Sequence, residues 1–444
     1  MHSSLDRMSL GSNPLHEPPV QESREADLPA ALTERLSACQ RAGLGRTLRP
    51  RSGVDLCSND YLSFSEDPLL KARIDARCQI SPPSHRRAHF PDSSRQLEYS
   101  YPGSAGSRLL RGHLLPHEEA EHVLADFCSR SSALIFPSGY QANLALLSAI
   151  LGPQDLVFSD EANHASLIDG IRLSQAKKRI FAHNQVDHLK DCLQETRNEP
   201  GLKLIVTESL FSMDGDQAPL GEILELCKRY GAYLIVDETH ATGLWGSTDG
   251  SCGGGLVQKH GFTPHVLATI HSGGKALGCS GAWIACGSRL KDFLIHFSRP
   301  LIFSTAPPPT LAISLVEATH YWREVGALRA RAVLNACERW RAALRPLISE
   351  SPQSARIGLP PSSGPILPVL LGENQRALKA ATCLQNLGWD IRAIRPPSVP
   401  PGTARLRITL HYAQAQDEQL PFRFAQGLQS FLHSHLDPYR SPSP

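Results

Sequence analysis

The chain has 444 residues, enough for two or three domains and a large core. Its 45 Lys and Arg nearly balance 43 Asp and Glu, and the net charge of +2 excludes the strongly basic surface of a nucleic-acid or anionic-membrane binder. With 41% hydrophobic and 20% charged residues it reads as a soluble globular protein.

Residues 1–29 carry Glu17, Glu22, Glu25 and Asp27 among Pro and Ser, which predicts a disordered extension rather than a signal or transit peptide. The expected location is cytoplasmic, and eleven scattered Cys without a C-x-x-C pair predict reduced thiols rather than disulfides or a zinc site. An N-terminal segment at 30–60 holds a helix over Ala30–Arg41 and a strand at 54–57. The stretch 81–107, rich in Pro, Ser, Arg and Gly, reads as a long loop, a length that goes with function or mobility. Within 61–306, apolar runs at 133–136, 156–158, 204–207, 234–236, 266–270 and Ala282–Cys286 alternate with helix-period stretches such as 141–151, Val186–Glu195 and Leu220–Tyr230. That alternation predicts a large α/β domain on a mainly parallel sheet. After Pro307, Pro308 and Pro309 come long helices at 310–325 and 328–347. Strands near 366–371, 390–394 and 406–409 and a final helix after Asp417 complete a smaller α+β domain at 307–437. A disordered tail is expected at 438–444. The longest apolar runs, 144–151 and 366–371, fall far short of the roughly 18 residues that span a bilayer.

Ligands in such sheets sit at the carboxyl ends of the strands. Four of these ends carry related chemistry: Ser138, Gly139 and Tyr140 opening a helix; Glu208 to Asp216; Asp237, Glu238, Thr239 and His240; and His271, Ser272, Gly273, Gly274 and Lys275. Each is weak alone, since an Asp caps helices and a loop Lys is commonly exposed. Together they offer a phosphate cradle, an acid, a histidine and an amine. Pyridoxal phosphate asks for that set: a lysine for its aldehyde, a carboxylate for its ring nitrogen, a helix N-terminus for its phosphate.

Three other motifs fail on inspection. Ser272 to Lys275 fits S-x-x-K without its companion motifs, and Thr269 stands where a P-loop needs glycine. His117 and His122 are spaced one residue too far apart for a helical zinc pair and read as solvated helix residues.

Over about 32–432 the chain resembles the α-oxoamine synthases, fold-type I pyridoxal phosphate enzymes that condense an amino acid with an acyl thioester. Asn59 to Leu62, Asn163 to Ser166, Phe211 to Asp216 and Asp237 to His240 stand in family order, with Lys275 at the expected distance. Residues 393–407, with Pro396 and Pro397 before Ser398, are similar to the signature of the branch that joins L-alanine to a pimeloyl thioester in biotin synthesis. The aminolevulinate, aminoketobutyrate and sphingoid-base branches lack those prolines. The resemblance implies that Lys275 holds the cofactor and moves the α-proton. It gives Asp237 to the ring nitrogen, His240 to the ring hydroxyl, and His164 to the ring face and the later decarboxylation. Gly139, Tyr140, Ser212 and Ser272 would hold the phosphate and ring edge. Asn59 and Arg407 would hold the amino-acid carboxylate, with Arg46 and Ser398 on the acyl side. Phe303, Ser304 and Thr305 match a segment reaching the partner's phosphate, which implies a homodimer with sites at its interface.

The chain departs from the family in Thr239 for Ala beneath the ring, in Ser272 and Ser398 for Thr, and in an insertion at about 80–100. The resemblance implies an acyl donor that is either pimeloyl-CoA or a pimeloyl-carrier protein. A sister enzyme using glycine or serine and a non-catalytic family member stand as alternatives.

Overall fold

The computed structural model describes residues 28–79, 100–349 and 357–436. Nearly all of the extension expected at 1–29, most of the loop at 81–107 and the tail at 438–444 lie outside them. The chain forms two compact units, one ending at Arg49 and one running from Pro50. The first contains the helix Ala30–Arg41, which buries no residue and pairs Arg41 with Glu34 at 2.6 Å.

The second unit is built on a seven-stranded sheet in the order β2-β8-β7-β6-β5-β3-β4. Its strands are β2 (Ser132–Phe136), β3 (Leu156–Asp160), β4 (Lys177–Phe181), β5 (Lys203–Glu208), β6 (Tyr233–Asp237), β7 (Ala268–Ser272) and β8 (Ala282–Cys286). β8 runs antiparallel to β7 and β2, and the other pairs are parallel. Leu204, Ile205 and Val206 of β5 and Leu234, Ile235 and Val236 of β6 are all fully buried, as expected when helices cover both faces of a sheet.

The pattern of apolar runs misses β4. Its Lys177, Lys178 and Arg179 are exposed on an edge strand, where charge discourages pairing with another chain. The helices Gly139–Ile150 and Ala165–Ser174 cross closely at Gly170, where an added Cβ would lie 3.0 Å from the Asn143 carbonyl oxygen and 3.1 Å from Leu147 Cβ. Glycine sets that approach.

Past Pro308 the helix Pro309–Tyr321 continues through a π-helical turn, Trp322–Gly326, into Ala327–Ser349, so no loop separates the two expected helices. The Trp322 indole donates to the Gly243 carbonyl at 2.8 Å. A three-stranded antiparallel sheet, β11-β12-β9, combines β9 (Ile366–Gly372), β11 (Ala393–Ile394) and β12 (Ala404–Thr409). The strand expected at 390–394 is divided in two: β10 (Trp389–Asp390) leaves β11 to pair in parallel with β1 (Val54–Asp55). Leu56, Leu406 and Leu410 pack in one apolar cluster with Trp283 and Leu315. No described helix is long and apolar enough to cross a membrane.

His117 corrects the expectation of a solvated residue. It is fully buried, accepting from the Leu114 N–H through Nδ1 at 3.0 Å and meeting the Pro307 carbonyl through Nε2 at 2.8 Å. His122 is exposed as expected.

A second histidine braces the turn after β5. His183 bonds Asp160 through Nδ1 and Asp216 through Nε2, both at 2.9 Å, and Asn184 donates to Asp216 at 2.7 Å. Burial lowers the His183 pKa, but hydrogen bonds and charge from the two carboxylates outweigh it and raise the value to about 10. A folded pKa above the ordinary 6.5 gives stability that is complete below pH 6.5 and lost as pH climbs through about 10. His183→Gln should therefore melt a few degrees below the parent at pH 7, with the gap closing towards pH 10. Thermal scans over that range check it, and a pH-independent gap would refute the linkage.

Candidate active site

Strand register places the acids first. Glu208 of β5 lies directly opposite Asp237 of β6, and Asp237 opposite Ile270 of β7. Both carboxyl groups are buried, Glu208 at 3% and Asp237 at 5% exposure. Burial raises the Glu208 pKa well above the ordinary range, and the neighbouring Asp237 charge raises it further. Two adjacent carboxyls resist ionising together, and Glu208 carries that repulsion as a raised pKa.

Asp237 is held on both oxygens, Oδ1 by the Thr239 N–H at 2.9 Å and Oδ2 by Asn143 Nδ2 at 2.8 Å. Asn143 Nδ2 also donates to Ser166 Oγ at 2.9 Å, and Ser166 Oγ meets His164 Nδ1 at 2.7 Å. His164 caps the helix Ala165–Ser174, and its own N–H donates to Glu208 Oε1 at 2.7 Å. Burial lowers the His164 pKa; Asp237 pulls it up and Lys275 pushes it down.

Lys275 follows β7. Burial lowers its pKa and the Arg407 cation adds to this, while Asp237 and Glu208 favour the charged amine. Near it, Gly139 opens the helix Gly139–Ile150 with Ser138 as cap; a Cβ added there would meet Ser272 Cβ and Thr239 Oγ1 at 4.0 Å. Thr239 Oγ1 is buried without a partner among the described residues. A phosphate at this helix N-terminus is well matched to backbone N–H groups flanked by hydroxyls, which is the chemistry expected of a pyridoxal phosphate cradle. The exposed Tyr140 side chain bonds Asp169, so only its backbone is left to face such a cradle.

A second cluster is cationic. Arg407 of β12 donates from Nε to the Ser212 carbonyl at 2.5 Å, from Nη1 to Thr409 Oγ1 at 2.9 Å and from Nη2 to Asn59 Oδ1 at 2.9 Å. The Tyr61 hydroxyl joins Asn59 at 3.3 Å to His240 Nδ1 at 2.6 Å. Burial, then the positive charge of Lys275 and Arg407, presses the His240 pKa well below its usual value. Burial raises the Tyr61 pKa to about 12, so its hydroxyl keeps its proton. A cavity of about 770 Å³ opens on Lys275, Asn59, Ser58 and His411.

Asp237, His164, His240, Lys275, Gly139, Ser272, Ser212, Asn59 and Arg407 are thus linked through bonds, close contacts or mutual electrostatic influence. Ser398 is exposed, with its N–H on the Arg395 carbonyl at 3.1 Å, and Thr305 is exposed beside Phe303. Arg46 belongs to the unit ending at Arg49. Sequence reasoning gave no role to Tyr61, Asn143, Ser166 or Glu208. Tyr61 lies inside a motif already singled out and Glu208 at a strand end already singled out, so both carried a signal. Ser166 closes the motif Asn163 to Ser166 and carried one too, whereas Asn143 becomes visible only when the helices are packed.

The chain matches the aminotransferase class I and II family over residues 51–421. It is 40% identical over 395 residues to an 8-amino-7-oxononanoate synthase of Anaeromyxobacter dehalogenans, covering 85% of this chain and 90% of that protein. A protein of the same name from Alkalilimnicola ehrlichii is 37% identical over 405 residues, 87% of this chain and 94% of the relative. Among solved structures, serine palmitoyltransferase from S. paucimobilis superposes with a TM-score of 0.76 at 23% identity, covering 91% and 97% of the two chains. An 8-amino-7-oxononanoate synthase from Francisella tularensis gives 0.66 at 24% identity, covering 87% of this chain and 99% of that one.

Proposed function

The chain belongs to the aminotransferase class I and II family of pyridoxal phosphate enzymes, among the α-oxoamine synthases, and on that footing we propose that it joins L-alanine to a pimeloyl thioester. The thiol carrier and carbon dioxide leave, and the product is 8-amino-7-oxononanoate. The observation that carries this reading is the meeting of Lys275, Asp237 and His164 at adjoining strand ends, with Arg407 brought in from β12.

When bound, pyridoxal phosphate supplies an electron sink for the pair left on the amino acid's α-carbon. Asp237 keeps a proton on the ring nitrogen through its charge. Lys275 Nζ, made less basic by burial, holds and returns the α-proton. His240 and Tyr61 form a donor-acceptor pair for the ring hydroxyl. The helix opening at Gly139 and Tyr140, with Ser272 beside it, takes the phosphate and ring edge, and Ser212 keeps the role there that the family resemblance implies.

The guanidinium of Arg407 spends three of its five N–H groups on Ser212, Thr409 and Asn59, which leaves two for the amino-acid carboxylate. The cavity beside Lys275 admits the acyl chain, and Ser398 keeps the acyl-side role that the family resemblance implies. In this reading residues 61–306 carry the cofactor and 307–437 bring Arg407 to the substrate. A second copy contributes Thr305, in keeping with the exposure of Phe303 at 71%.

A product assay tests the proposal, using L-alanine, glycine and L-serine, each with pimeloyl-CoA and a pimeloyl-carrier protein. Carbon dioxide release should be fastest with L-alanine, by ~10-fold or more over glycine, the gap one methyl group commonly sets. Release with glycine or serine alone would move the chain to a sister activity. No release with any donor would overturn catalysis.

A further inference from the structure

We propose that Asn143 and Ser166 are positioning residues: they hold His164 as the tautomer with its proton on Nε2 and tie that choice to the carboxylate of Asp237. The inference deepens the function proposed above and rests on it for the part His164 plays. Its geometry stands on bonds within this chain.

Direction is fixed at each step of the network. The Ser166 backbone N–H lies 3.2 Å from His164 Nδ1, and an amide N–H can only donate, so Nδ1 presents a lone pair. Ser166 Oγ lies 2.7 Å from the same nitrogen. That oxygen already accepts from Asn143 Nδ2 at 2.9 Å, which leaves its own hydrogen for Nδ1. Asn143 in turn has no freedom to flip. Its other Nδ2 hydrogen faces Asp237 Oδ2 at 2.8 Å, and a carboxylate only accepts. The flipped amide would set a carbonyl against that carboxylate.

Asn143 bears a cost for this orientation. Its Oδ1 is buried without a donor among the described residues, the kind of orphan that a folded chain keeps when a function requires it. Asn143 and Ser166 are 2% and 1% exposed, so water does not compete for the bond between them. Gly170 makes the network reachable, because its missing Cβ lets the two helices approach within bonding distance.

With Nδ1 engaged as an acceptor, neutral His164 carries its hydrogen on Nε2. That nitrogen has no protein partner among the described residues, and His164 is exposed. His164 then acts on the substrate as a neutral hydrogen-bond donor, suited to an oxygen that gains negative charge, and does not serve as a base through Nε2.

Nitrogen-15 spectra of histidine-labelled holoenzyme test this directly, with His164→Gln assigning the resonance. Between pH 6 and 9 the Nδ1 signal should sit in the lone-pair range and the Nε2 signal in the N–H range. Ser166→Ala should cut the excess of this tautomer about tenfold, the weight of one hydrogen bond, and Ser166→Thr should restore it. Asn143→Ala should loosen the tautomer and also shift the visible absorption of the bound cofactor, since Asp237 loses a donor.

A merely structural role would lower the melting temperature of these variants and leave both spectra unmoved. A proton on Nδ1 in the parent protein overturns the inference, as do unaltered spectra in both Ser166→Ala and Asn143→Ala. None of these readouts needs a substrate, so a failed product assay and a failed network remain separate outcomes.

Discussion

A Lys275→Ala protein is expected to fold, to bind pyridoxal phosphate reversibly, and to carry none of it after borohydride reduction and denaturation. Folding should survive because the Lys275 amine has no hydrogen-bond or ion-pair partner among the described residues, so its removal strands no donor or acceptor. Its environment is costly for a cation: burial lowers its pKa and Arg407 adds to this, with Asp237 and Glu208 opposing. The native structure therefore does not depend on the charge it loses. In the function proposed the chemistry does depend on it, because Lys275 is the one lysine among the described residues lining the cavity. Turnover should fall by ~10²–10⁴-fold, the contribution typical of a positioned acid-base group, on top of the lost covalent anchor. Mass spectrometry of the reduced, unfolded chain reads the result. Cofactor mass retained on the variant would place the anchoring amine elsewhere.

The large sheet was legible because β5, β6 and β8 are buried on both faces and so read as unbroken apolar runs. β4 was not, since an edge strand keeps its charges in solvent and loses the apolar signal that identifies its neighbours. His117 misled for a related reason. A polar residue beside Glu118 and Glu119 reads as solvated, whereas Leu114 and Pro307 supply it with two bonds in the interior. Within the site, residues immediately after strands could be found by position alone. Asn143 could not, because it lies inside a helix and meets Ser166 only through the close crossing at Gly170, and although Ser166 closes a marked motif, its bond to Asn143 is equally hidden. Tyr61 and Glu208 lie between these cases: their stretches stood out, but their partners, His240 and His164, come from distant parts of the chain.

Asp237→Asn should be nearly as severe as the loss of Lys275, and for two separable reasons. The first is charge. Without the carboxylate nothing holds a proton on the ring nitrogen, and the electron sink weakens where negative charge develops. Losing one preorganised electrostatic contact of this kind costs about 10²–10³-fold in kcat. Lys275 also loses the anion that most favours its charged form, so its pKa falls further and the acid limb of the kcat profile moves to lower pH. Glu208, relieved of a like-charged neighbour, drops back towards the ordinary carboxyl range.

The second reason is hydrogen bonding. Asp237 accepts from the Thr239 N–H on one oxygen and from Asn143 on the other, and an asparagine has a single carbonyl with which to answer both. One donor is left facing an NH₂ group, which should destabilise the protein by about 1–3 kcal/mol. Denaturation of the cofactor-free variant isolates this second effect, while kcat and its pH profile on the loaded protein isolate the first. A variant that unfolds more easily yet turns over within tenfold of its parent would show that Asp237 props the site without acting on the ring.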